Sequence, residues 1–119
     1  MTLTNQEYLR RKNLGIFLRA ARNNFHYSER HNSYIRIRPL DERREFFEVE
    51  SCSASEIVEK TPPSAHAKGL LYLAFGDSKD AKESIFQSLP FSRRDTESYR
   101  TWTLQLVGDK LQVVEPLKG

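Results

Sequence analysis

Apolar residues recur with a helical period between residues 4 and about 25. Leu14, Phe17, Leu18, Ala21 and Phe25 fall at i, i+3, i+4, i+7 and i+11, one stripe of an α-helix. The stretch also opens with a start signal. Thr4 can accept from the first turn while Glu7, three residues on, reaches back to Thr4's own N–H. Leu3 and Tyr8 are spaced for a hydrophobic staple across that cap. A thinner apolar strip of Leu9, Ile16 and Ala20 lies further round the helix. Gly15 sits inside the helix's basic flank, where an interior Gly costs about 1 kcal/mol relative to Ala, and it would permit close approach of another backbone.

Residues 26–33, HYSERHNS, carry no apolar period and read as a polar loop. The period then changes to two. In SYIRIRP (33–39), Ile35 and Ile37 face one way and Tyr34, Arg36 and Arg38 the other, and Pro39 ends the strand. EFFEVES repeats the alternation, so an antiparallel hairpin with a loop of about six residues is expected. Ser53 or Ser55 can cap a short helix over 54–60, which Pro62 and Pro63 stop. GLLYLAF (69–75) is a continuous apolar run of the kind a doubly buried strand shows. Asp77 or Ser78 then caps a helix to about Leu89, with Ala81, Ile85 and Leu89 inward. The chain closes with a hairpin, YRTWTLQLV and KLQVVEP, joined at Gly108 and Asp109, with Trp102, Leu104 and Leu106 on its core face. The expected fold is α+β in a single domain over 1–119. A long N-terminal helix packs on a mostly antiparallel sheet of about five strands, with one or two further short helices.

Composition changes this picture little, and charge distribution changes it more. With 119 residues, 38% apolar and 29% charged, the chain can build an ordinary core. One cysteine excludes an internal disulfide framework and a thiolate zinc site, and Cys52 reads as a structural thiol. A cytoplasmic (or, in a eukaryote, nuclear) protein that is not secreted is expected, because no apolar run approaches a membrane span or a signal sequence. Residues 1–44 hold ten basic groups against four acidic ones, whereas 45–119 hold nine against twelve. A net of +6 facing a net of −3 points to a polyanion partner for the front third.

Arg11, Lys12, Arg19 and Arg22 line the flank of the long helix, with Tyr8 among them. Arg36 and Arg38, with Tyr34 for base stacking, would extend that surface. The competing reading is cross-strand pairing with Glu48 and Glu50, and their matching alternate register favours it. A solvated helix face is Arg-rich too, since Arg stems cover apolar surface. His26 and His31 could ligate a metal only with a third ligand that the sequence does not mark, so no metal and no cofactor are expected. SRRDTES (92–98) has the look of an accessible basophilic kinase site.

Residues 14–22, LGIFLRAAR, resemble the opening helix of Cro/repressor-type helix-turn-helix domains. A short turn and a recognition helix should follow. The chain instead runs through a polar loop into an alternating strand, so the motif is absent and no residue role transfers. No acid, base and nucleophile share a catalytic spacing, and a non-enzymatic, regulatory nucleic-acid-binding module is expected. The alternative is a protein-interaction module or subunit that uses Leu9, Ile16 and Ala20, in which a homo-oligomer is one form of assembly.

Overall fold

The computed structural model describes residues 4–57 and 78–114. Helix α1 (Asn5–Ala21) begins at the expected capping box: the Glu7 amide donates to Thr4 Oγ1 at 3.1 Å and the Thr4 amide to Glu7 Oε2 at 3.3 Å. Five strands follow: β1 (His26–Ser28), β2 (Ser33–Pro39), β3 (Phe46–Cys52), β4 (Arg100–Val107) and β5 (Lys110–Val113). They lie side by side in chain order, and every neighbouring pair is antiparallel. Helix α2 (Lys79–Gln87) and a 3-10 turn (Arg94–Thr96) sit between β3 and β4 in sequence. The α+β class expected from the period changes is the fold observed.

Alternation decides which face each strand buries. Ile35, Ile37, Phe47, Val49, Leu104, Leu106 and Leu111 form one core with Leu14, Phe17 and Ala21 of α1 and with Ile85 and Phe86 of α2. Phe17 and Phe86 meet edge to face at 5.4 Å. Trp102 is half-buried and stacks flat on Phe91, 4.1 Å between centroids. Gly108 takes φ +62 in the β4–β5 turn, the left-handed conformation a two-residue hairpin requires.

Several sequence expectations need correction. Residues 26–33 are not simply a loop, because His26–Ser28 pairs with residues 33–35 as an edge strand. Its polar side chains hide the apolar signal yet are buried, because each finds a bond. His26 Nε2 donates to the Ala21 carbonyl (2.9 Å), and His31 Nε2 donates to the Phe91 carbonyl (3.1 Å) while its Nδ1 accepts from Ser28 Oγ (2.7 Å). Three of the four ring nitrogens of the pair are thus bonded within the protein. The apolar run 69–75, most of the helix over 54–60, Leu3 of the staple and the Asp77 cap lie outside the described residues.

The Arg-Arg-Asp-Thr sequence is also not an open phosphorylation site at its threonine. Thr96 is fully buried, its Oγ1 within 3.0 Å of the His31 carbonyl and 2.9 Å of the Arg93 carbonyl. Finally, no other backbone of the described residues comes within 4 Å of where a Gly15 Cβ would be. A Cβ placed there would meet the guanidinium of Arg44, a side chain, at 3.7 Å.

Candidate nucleic-acid interface

The ten basic groups of the front third divide cleanly by what they touch. Arg10 is half-buried and ties three elements together, donating through Nε to the Asp109 carbonyl (3.0 Å) and through Nη1 to the Ser84 carbonyl (3.1 Å). Arg30 donates to the Gln87 carbonyl. Arg36 and Arg38 pair across the β2–β3 ladder with Glu50 and Glu48, their Nε atoms at 3.0 and 2.9 Å from the carboxylate oxygens. The remaining six are Arg11, Lys12, Arg19, Arg22, Arg43 and Arg44. All six are exposed, and none makes an ion pair or side-chain hydrogen bond among the described residues.

These six occupy adjacent ground. Arg11, Lys12, Arg19 and Arg22 line one flank of α1 at i, i+1, i+8 and i+11, with exposed Tyr8 at its head. Arg43 and Arg44 come from the β2–β3 connection, which the sequence marked only as a link. Asp41 anchors that connection by accepting from the amides of Glu45 and Phe46, both at 2.9 Å, so its charge is turned onto backbone. Between the connection and α1 runs a groove of about 520 Å³, with Leu18, Ile37 and Pro39 as its apolar lining and Arg19, Arg22, Arg38 and Arg44 as its cations.

Two of these arginines hold a backbone conformation that L-residues avoid. Arg22 ends α1 at φ 51 and Arg44 turns the connection at φ 56. A helix commonly ends this way on Gly, because a Cβ penalises the left-handed region. Arg22→Gly should therefore raise stability by about 0.5–1 kcal/mol in urea denaturation while lowering affinity for a polyanion. A loss of stability instead would mean that the Arg22 side chain serves packing.

The other sequence-predicted positions lie elsewhere. Tyr34 is 8% exposed, packed with Phe25, Cys52 and Ile57 and edge-to-face with Tyr27, so it offers no ring for base stacking. Burial alone would raise the Glu50 carboxyl. The bonds from Arg36 and Tyr99, with the charges of Arg36 and Arg38, outweigh it and hold the group below its ordinary range. Arg36 and Arg38 thus close a structural ion-pair ladder. The alternative partner strip is largely covered as well: Ala20 packs against the core, Ile16 is half-buried and only Leu9 stands out, at 52%.

Arg93 and Arg94 do not join the basic flank. Their turn is held to the Ser33 end of β2 by Ser33 Oγ donating to the Thr96 carbonyl (2.8 Å), whereas the groove lies at the Pro39 end, about 20 Å away by strand rise. Among the described residues no three His, Cys, Asp or Glu side chains could share a metal ion, and no helix is long and apolar enough to cross a membrane. No protein-family model, curated protein or solved structure matches this chain.

Proposed function

We propose that this chain is a small non-enzymatic module that binds nucleic acid through the basic flank of α1 and the arginine-lined groove beside it. One observation carries the reading: six cations without an acidic partner among the described residues gather on α1 and the neighbouring connection, while the other four of the front third are bonded into the protein. Arginine suits this role, since its planar fork meets phosphate oxygens two at a time. Binding residues reduce to Arg11, Lys12, Arg19 and Arg22, joined by Arg43 and Arg44. Tyr34, Arg36 and Arg38 drop out as direct contacts.

Binding of this kind is dominated by counterion release and falls steeply with salt. Arg19→Glu with Arg22→Glu should weaken retention of a labelled single-stranded or duplex oligonucleotide by about tenfold or more at low salt, with the denaturation midpoint little changed. Equal retention by the parent and the double variant would end this reading. A stable oligomer in size-exclusion chromatography that ignores added nucleic acid would support the protein-partner alternative.

A further inference from the structure

The spacing of the free cations bears on what form of nucleic acid the groove accepts. Along α1 they stand at the levels of residues 11 and 12, then 19, then 22, which leaves a gap at Gly15. Arg44 fills that gap from outside the helix. Its guanidinium lies 3.7 Å from where a Gly15 Cβ would be, an ordinary contact distance, so it sits beside the helix at that level. At 1.5 Å per residue, the row 11/12, 15, 19, 22 then repeats about every 4.5–6 Å, comparable with the separation of adjacent phosphates along one strand.

Three of these exposed charges, Arg19, Arg22 and Arg44, also line a groove. The β2–β3 connection lies beside α1, so the Arg19 and Arg22 end of the flank forms one wall of the groove, with Arg11 and Lys12 standing beyond it along the helix. A duplex is read by an element that enters its groove, whereas a charged groove that tracks one backbone is how single strands are held.

We infer that the groove takes one strand of nucleic acid laid along α1, with Arg44 supplying the phosphate contact at the level of Gly15. This rests on the nucleic-acid reading above and adds strand form and a residue to it. Leu18, Ile37 and Pro39 give the groove its apolar lining and Asn23 is its one uncharged polar side chain, so the contact is chiefly from the cations to backbone and largely tolerant of sequence.

The test is fluorescence anisotropy of the full chain with labelled oligothymidylate and with a duplex of equal length, across a salt series. Oligothymidylate should bind more tightly than duplex, with a log–log salt slope near −3 for about four contacts. Arg44→Ala, and Arg44→Gly, which suits the left-handed backbone, should each reduce that slope by about 0.7. Arg94→Ala, at the far end of β2, should leave it unchanged. Tighter binding of duplex, or an unchanged slope in both Arg44 variants, overturns this inference and leaves the broader reading standing. No binding of either oligonucleotide at low salt overturns both.

Discussion

Truncating Phe17 to alanine is expected to cost about 3–5 kcal/mol of stability, the range for removing a buried aromatic ring from a core. The ring has no exposed surface, and its edge-to-face contact with Phe86 is the apolar part of the joint between α1 and α2, beside the bonds from Arg10 and Asn13 to Ser84. Neighbouring apolar residues on α1 cannot substitute for it, because Leu18 is only partly buried at the groove side. Urea denaturation of Phe17→Ala beside Leu18→Ala separates the two positions. Phe17→Ala should shift the midpoint far more, and similar shifts would mean that α1 does not depend on that joint. Since α1 carries four of the six free cations, the loosened helix should also bind polyanion less well at temperatures near its melt.

The second large effect centres on His31. The ring is fully buried, it lies against Phe91, and both nitrogens are used. The Phe91 carbonyl accepts from Nε2, which fixes the proton there and leaves Nδ1 to accept from Ser28. Burial pushes its pKa below the ordinary 6.5, assisted by Arg30 and opposed by the Phe91 bond and by Asp95. The sign follows. Below 6.5 the unfolded chain takes up a proton that the folded chain resists, so this contribution is fully present above 6.5 and is lost as pH falls through the folded value. Stability should decline on acidification from pH 7.5 with a slope of at most about 1.4 kcal/mol per pH unit from this group. His31→Ala should lower stability at pH 7.5 by about 2–4 kcal/mol, because it strands the Phe91 carbonyl and Ser28 hydroxyl in the interior, and it should flatten the slope between pH 5 and 6.5. An equally steep slope in the variant would assign the acid sensitivity to other groups. Glu50, held below 4.5, gives a separate loss that sets in only at lower pH.

What could be read from the sequence was whatever depended on local period and short-range pairing. The Thr4 and Glu7 cap, the inward positions Leu14, Phe17 and Ala21, both hairpins and the Gly108 turn are each decided within a few residues and are present, whereas Leu18 is only partly buried and Phe25 lies beyond the end of α1 in a second cluster. The pairing of Arg36 with Glu50 and of Arg38 with Glu48 followed from register alone. Strand β1 was hidden because its two buried residues are polar, His26 bonded to the Ala21 carbonyl and Ser28 to the His31 ring, and so produce no apolar rhythm. Tyr34 looked exposed because a period of two predicts a solvent face, but Phe25, Cys52 and Ile57 close over it from three separate segments. The candidate site was half legible. The flank of α1 was visible in its spacing, whereas Arg44 became relevant only once its side chain was seen to reach the level of Gly15.

The shortness of β1 has a consequence for solubility. It pairs only with residues 33–35, so among the described residues no strand covers residues 36–39 on the side away from β3. An open strand edge is a template on which another chain can add. Here that edge ends in Pro39, which has no amide hydrogen to offer, and it runs beside Arg19, Arg22 and Arg44. A second copy approaching edge to edge would bring the same cations against them. The charge that would hold a polyanion therefore also acts as a gatekeeper against fibrillar stacking, and neutralising it exposes the sheet to self-addition.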